Sequence, residues 1–282
     1  MKLLTWNVQW FCGLDDTVNV ERVIAHAQSM ADFDVLCLQE VAIDYPGLTG
    51  GAGFDQPERV RSLLPGYALF FGAAVDEPGR HGKRQRFGNL IATRLPADLV
   101  QHHPLPYPAD GGVRSMPRMC TSVTVLSAFG PVRVMTTHLE FYSARQRLAQ
   151  AHALAGLHAQ ACSHAAQPPL RDASGGPFQD KQHTASAVLC GDFNLEATNE
   201  EYSVLQAAPL CAATRLVDAW PLAHPGAAHD PTFQLFDRRY GPQPIACDFV
   251  FVSEDLAPRV RSVEVDLQTR LSDHQPVLLA LQ

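Results

Sequence analysis

The stretch from Met119 to His138 constrains the fold more than any other. Two apolar runs, Met119 to Ala128 and Val132 to His138, are separated only by a tight turn at Gly130-Pro131, so they read as an antiparallel hairpin. A helix crossing over between parallel strands needs a dozen or more residues, and none are free there. A purely parallel, doubly wound sheet is therefore disfavoured. Leu3 to Val8, Asp34 to Leu38, Tyr67 to Val75, Gly88 to Leu95, Ala187 to Cys190, Ile245 to Ser253, Val260 to Val265 and Val277 to Leu281 also have strand character. Several are apolar throughout, as strands covered on both faces are. Helical spacing follows Val20, Val23, Ile24, Ala27 and Ala31, and capping sequences open further helices at Asp55, Ser143 and Thr198-Asn199. The Ser143 helix is the longest, ending near Ala166, and Gln167 to Ala185, rich in proline and glycine, reads as a loop. These elements predict a mixed α/β architecture with much antiparallel pairing. Four layers, each sheet lying between helices and the other sheet, would account for the uniformly apolar strands.

At 282 residues and 46% hydrophobic content, the chain reads as one domain over residues 1–282. Its formal net charge of -7 disfavours long-range attraction to duplex DNA, although a local basic patch could still serve a nucleic acid substrate. The seven cysteines, Cys12, Cys37, Cys120, Cys162, Cys190, Cys211 and Cys247, are scattered without a C-x-x-C pair and read as reduced core residues. Such thiols suit a reducing cytosol. The first residues run straight into a strand without signal-peptide features, and no apolar stretch reaches the roughly 18 residues of a membrane helix. A soluble, unprocessed, cytoplasmic protein without integral membrane association is expected.

Polar residues cluster where the apolar runs end: Asn7, Glu40, His138, Asp192 with Asn194, Asp248, and Asp273 with His274. Each has an ordinary structural explanation when taken alone. Asp192 and Asn194 can form a turn bonded to local backbone, and His138 can be a satisfied structural imidazole. Asp248 sits inside an apolar run, where a carboxylate costs several kcal/mol unless it is paired. His274 is its expected partner, oriented by it. Carboxylates, carboxamides and imidazoles delivered together to strand ends can hold a divalent cation and clamp a phosphate.

Thr5-Trp6-Asn7, Leu38-Gln39-Glu40-Val41, Thr137-His138-Leu139, Gly191-Asp192-Phe193-Asn194, Asp248-Phe249-Val250 and Ser272-Asp273-His274 stand in the order seen in the endonuclease/exonuclease/phosphatase superfamily. The chain resembles that superfamily over nearly its whole length. Its branches include deoxyribonuclease-like nucleases, abasic-site endonucleases, neutral sphingomyelinases, inositol polyphosphate phosphatases and tyrosyl-DNA phosphodiesterases. The resemblance implies a four-layer α/β/β/α sandwich with two mainly antiparallel sheets face to face. It also implies dependence on Mg2+ or Mn2+, with Glu40 as principal metal ligand supported by Asn7 and Asp273. In-line water attack at phosphorus would then use Asp192 to orient or deprotonate water and Asn194 to hold a phosphate oxygen. His274, fixed by Asp248, would face the phosphate, and His138 would donate a hydrogen bond or proton from the other side. Asp192 and the Asp248–His274 pair are both candidates for the general base.

A phosphodiesterase or nuclease-like hydrolase is the leading expectation, with a phosphomonoesterase or lipid phosphodiesterase as the alternative. A catalytically silent binding module is a third reading, disfavoured because every motif position holds a competent residue. The His138-Leu139-Glu140 form is similar to the sphingomyelinase, deoxyribonuclease and tyrosyl-DNA phosphodiesterase branches. The arginine that often precedes the aspartate at position 248 is replaced by Ala246-Cys247, so abasic-site repair is a weaker expectation. Arg84 and Arg86, in the basic stretch Arg80 to Arg86, and Arg118 are expected to bind the anionic substrate.

Overall fold

The computed structural model describes residues 1–178, 180–208 and 214–282, the side chain of His81 excepted. Cys211 therefore lies outside the described residues. The elements run β1 (Lys2–Asn7), α1 (Val20–Met30), β2 (Val35–Tyr45), β3 (Ala52–Asp55), α2 (Gln56–Leu63), β4 (Ala68–Pro78), β5 (Arg84–Thr93), β6 (Ala97–Pro104), β7 (Met119–Ser127) and β8 (Gly130–His138). They continue with α3 (Ala144–Ala166), β9 (Ala187–Asp192), α4 (Glu200–Leu205), β10 (Leu216–Asp218), α5 (Ala219–Ala223), β11 (Asp248–Ser253), β12 (Val260–Val265) and β13 (Val277–Leu281).

One sheet has the order β12-β13-β1-β2-β5-β4, with β3 beside β2, and the other β10-β11-β9-β8-β7-β6. At the centre of each lies one parallel pair, β1 with β2 and β8 with β9; the other pairings among the described residues are antiparallel. Side chains alternate between faces along a strand, which is how a wholly apolar strand serves two cores at once. Leu3 points into the inter-sheet core with Val35, Cys37, Ile91, Val134, Val188 and Cys190, whereas its neighbour Leu4 joins Val23, Ile24, Leu36 and Val60 under α1 and α2. On the far side, Ala151 and Leu154 of α3 and Leu205 of α4 cover Met135, Leu189 and Phe251. The result is the four-layer sandwich, helices outside and sheets inside.

Local signals hold at most helix starts. Asp55 Oδ1 accepts from the Glu58 amide and Ser143 Oγ from the Gln146 amide, as their capping sequences predict. Asn199 departs from expectation: its side-chain oxygen accepts from the Glu196 amide ahead of α4. The basic stretch also differs. Arg84 to Phe87 belong to β5, which begins four residues before Gly88, so the arginines stand on the strand itself. β6 was not expected, because its sequence is polar and its residues are largely exposed at a sheet edge. No helix among the described residues is long and apolar enough to cross a membrane.

Candidate active site

The two parallel pairs fix where the chemistry gathers. Within a parallel pair both strands end at the same edge, so β1 and β2 bring Asn7 beside Gln39, and β8 and β9 bring His138 beside Asp192. β11 runs the other way, and it is its first residue, Asp248, that faces Asp192. β13 is antiparallel to β1, so the segment preceding it carries Asp273 and His274 to the same end. Asn7 Nδ2 closes the two sheets over this edge, donating to Asp192 Oδ2 at 2.9 Å and to Glu40 Oε1 at 3.2 Å.

Glu40 owes its direction to a defect in the pairing. The register of β2 against β5 shifts between Leu38 and Val41, and Glu40 has φ of 60°. A bulge of this kind re-aims a side chain that regular alternation would send elsewhere. Left-handed backbone at a non-glycine residue costs about 1–3 kcal/mol, and such strain concentrates at functional sites. Gly191 answers a different demand. A Cβ there would lie 2.0 Å from the Thr137 carbonyl oxygen, so β8 and β9 can approach only because residue 191 has none.

Asp192 is the hub. Its Oδ1 accepts from the Asn194 amide at 2.9 Å, while Oδ2 faces Asn7, His138 Nε2 at 3.3 Å and His274 Nε2 at 3.6 Å. The turn expected for Asp192 and Asn194 thus exists beside the polar cluster, one carboxylate oxygen serving each. Asn194 lines the cleft and donates one amide hydrogen to the Leu139 carbonyl. Asp248 Oδ2 meets His274 Nδ1 at 2.8 Å and accepts from Thr232 Oγ1 at 2.6 Å; its Oδ1 is buried without a partner. The Phe233 ring stacks on His274 with centroids 4.4 Å apart.

The charges around these groups are unequal. Burial alone would lower the His274 pKa, but the Asp248 and Asp192 carboxylates outweigh it and hold the imidazole well above its ordinary value. His274 is therefore cationic at neutral pH. His138 is the opposite: burial, then the Arg118 charge, pull it down to about 3, so it is neutral. Burial first, and then the Asp273 charge, push Glu40 up to about 7, and burial also raises Asp273.

Raised carboxyl groups crowded together signal missing positive charge. Glu40 and Asp273 offer hard oxygen donors, the kind that suits Mg2+ or Mn2+, whereas Asn7 turns its Nδ2 to Glu40 and accepts from the Gln9 amide through Oδ1 at 3.1 Å. Asp192, Cys247 and His274 also place ligand atoms within 4.8 Å of one another, so acidic and histidine side chains able to hold a cation do gather here. That trio fits less well. Burial raises the Cys247 thiol well above its ordinary pKa, and His274 Nδ1 is already engaged by Asp248.

Glu40, His138, Asp192, Asn194, Asp273 and His274 line a cleft of about 360 Å³, whereas Asn7 and Asp248 are not among its lining residues. Arg118 lines it too, buried and held by Glu140 through Nε at 3.1 Å, with its Nη1 donor buried and unpartnered. Arg84 and Arg86 are not among its lining residues, and the Arg84 guanidinium is paired with Asp76 of β4. Six aromatic residues line the cleft. Trp10 and Phe87 come from the first sheet and its loops, Phe141 and Tyr142 from the end of β8, and Phe233 and Tyr240 from the segment before β11. Thr232, Phe233 and Tyr240 carried no sequence signal, because that segment lacks periodicity and is ordered by distant contacts.

A profile of the Endonuclease/Exonuclease/phosphatase family, whose members are phosphoester hydrolases generally dependent on a divalent metal, matches residues 4–274. An endonuclease/exonuclease/phosphatase structure from Beutenbergia cavernae is similar at 26% identity and a TM-score of 0.63, covering all of this chain and 71% of its own. A mannosyl-6-phosphatase from Bacteroides thetaiotaomicron shares the fold at 19% identity and a TM-score of 0.67, over 100% of this chain and 99% of its own. Truncated TDP2 from Caenorhabditis elegans does so at 19% identity and a TM-score of 0.63, over 99% and 96%. Comparison with curated proteins found no match. With six polar clusters in family order, now seen at one sheet edge, and a profile match over nearly its full length, the chain belongs to the endonuclease/exonuclease/phosphatase family.

Proposed function

We propose that this protein is a metal-dependent phosphoester hydrolase, specifically a phosphodiesterase, acting by water attack in line with the leaving group. The observation that carries this reading is the convergence on Asp192 Oδ2 of Asn7, His138 and His274, with Glu40 bound to the same Asn7 amide. Glu40 and Asp273 would hold Mg2+ or Mn2+, with Asn7 supporting the ion through one of its waters. When bound, such a cation polarises the phosphoryl oxygens and offsets the charge that grows on them.

The chain's own groups do the rest. Asp192 orients the attacking water and accepts its proton. Cationic His274, fixed by Asp248, faces a non-bridging oxygen, and neutral His138 donates a hydrogen bond from the opposite side. Such preorganised donors stabilise developing charge without reorganising during the reaction. Arg118 directs its unpartnered Nη1 at a phosphate oxygen while Glu140 holds its Nε. Asn194 positions Asp192 and the Leu139 segment. Arg84 and Arg86 would meet only a substrate long enough to leave the cleft. Six aromatic lining residues, drawn from the two sheets and their loops, favour a diester, with its two organic groups, over a monoester.

Turnover of bis(p-nitrophenyl) phosphate with Mg2+ or Mn2+ tests the class, against chelated enzyme and Glu40→Ala. Metal-dependent hydrolysis abolished in the variant is expected. Equal rates with chelator, or none on any phosphoester, would overturn the assignment. A panel of single-stranded DNA, duplex DNA, RNA, sphingomyelin and inositol phosphates then identifies the substrate.

A further inference from the structure

A second cavity, of about 250 Å³, lies on the outer side of the second sheet between β6–β8, α3 and residues 181–184. Arg133 lines it, and both Arg133 and His138 stand on β8, five residues apart. At about 3.4 Å per residue the two are separated by about 17 Å, so this is not an extension of the catalytic cleft.

Its charge is one-sided. The lining holds Arg133, Lys181, His103, His164 and His183, and among the described residues no aspartate or glutamate. In a chain whose net charge is -7, that is a local inversion. Arg133 is only 5% exposed, yet it makes no ion pair among the described residues. Its Nη2 donates to His158 Nδ1 at 2.6 Å, Nη1 to the Thr184 carbonyl at 3.4 Å and Nε to Met135 Sδ at 3.4 Å. All three acceptors are neutral, the His158 imidazole being held down to about 4 by burial and by Arg133 itself. A buried cation without a counter-charge is expensive, and a structural arginine would ordinarily find a carboxylate.

The other features also point to a ligand. The His164 and His183 rings stack at 5.2 Å, forming a flat wall beside Lys181. Leu157 of α3 supplies apolar surface to the lining, and Met135 Sδ backs the Arg133 guanidinium. The space exceeds what one inorganic anion needs, since water's share of liquid volume is about 30 Å³.

We propose that this cavity is a second ligand site, taking a small phosphate-bearing organic molecule whose phosphate faces Arg133 and Lys181 and whose organic part lies against Leu157. The arginine fork and lysine point charge together are suited to a dianionic tetrahedral head.

Calorimetric titration of the full chain with inorganic phosphate, in chelator and at ionic strength fixed with potassium chloride, tests it. Wild type should bind phosphate in an event that survives Arg118→Met in the cleft and weakens at least tenfold in Arg133→Met and in the Lys181→Ala/His183→Ala double variant. If Arg133→Met fails to fold, the double variant, altered only in a part-exposed loop, decides alone. Absence of binding above the chloride control, unchanged affinity in the double variant, or loss of all binding in Arg118→Met would each overturn the site. Tighter binding of succinate than of phosphate would overturn the choice of phosphate. None of these outcomes depends on hydrolytic activity.

Discussion

Asp248 uses one oxygen and leaves the other idle: Oδ2 takes the Thr232 hydroxyl and His274 Nδ1, while buried Oδ1 has no partner. An asparagine fits the same space but removes the charge that keeps the imidazole cationic. Asp248→Asn should therefore lower kcat by on the order of 10²–10³, the usual cost of losing one preorganised donor to the developing charge, and change KM much less. Steady-state rates on bis(p-nitrophenyl) phosphate with circular dichroism of the variant check this; a near-normal kcat in a folded variant would remove the pair from the mechanism. The residues of this cluster were legible because each stands at or beside one end of an apolar run, a pattern that buried strands produce whatever their partners. Thr232 and Phe233 were not. Their places depend on a bridge from Phe233 to Ile245 and His274, contacts no local window contains. Arg84 and Arg86 are not among the cleft's lining residues for a related reason: density of basic residues says nothing about which way a strand turns them.

Among the elements, the β8–β9 pair bears the tightest constraint. Gly191 has φ of 135° and no room for a Cβ, whereas Gly130, at the β7–β8 turn with φ of 106°, faces open space. The two glycines separate backbone strain from steric exclusion. Gly130→Ala should cost about 1–2 kcal/mol, the price of unfavourable dihedrals alone. Gly191→Ala must also push β8 from β9 and should cost more than about 4 kcal/mol or prevent folding, the range reserved for core disruption. Urea midpoints of both variants give the comparison, and equal losses would show that the strands part without resistance. The hairpin ending at this pair was readable from Gly130-Pro131 and two apolar runs. β6 and β10 escaped notice because an exposed edge strand and a three-residue strand contain too few buried positions to make a period. The Glu40 bulge escaped too, since an extra residue in a strand leaves no mark on composition.

Across the whole molecule, the outer helix layer is tied to the second sheet by a polar contact as well as by its apolar face. His158 of α3 accepts from Arg133 of β8 and faces the Thr214 carbonyl at 2.7 Å, an arrangement that requires a neutral ring. Burial first, then the Arg133 charge, hold its pKa down to about 4, against about 6.5 in an unfolded chain. Between those values the unfolded state binds a proton that the folded state refuses. The contribution of His158 to stability is thus complete above pH 6.5, falls as pH drops towards 4, and changes no further below that. Two and a half pH units at 1.36 kcal/mol each set a ceiling of about 3 kcal/mol, of which about 2 kcal/mol should disappear between pH 7 and pH 5. His158→Gln keeps an acceptor for Arg133 and a donor for Thr214 but cannot titrate. Its unfolding free energy, measured in urea at both pH values, should fall less than that of wild type by about 2 kcal/mol. Parallel losses in the two proteins would mean that the ring already carries its proton in the fold, and that Arg133 does not rest against a neutral acceptor. Phosphate in the neighbouring cavity would supply the negative charge that Arg133 lacks and let a protonated ring be tolerated, so the wild-type acid loss should shrink when the titration is repeated in phosphate.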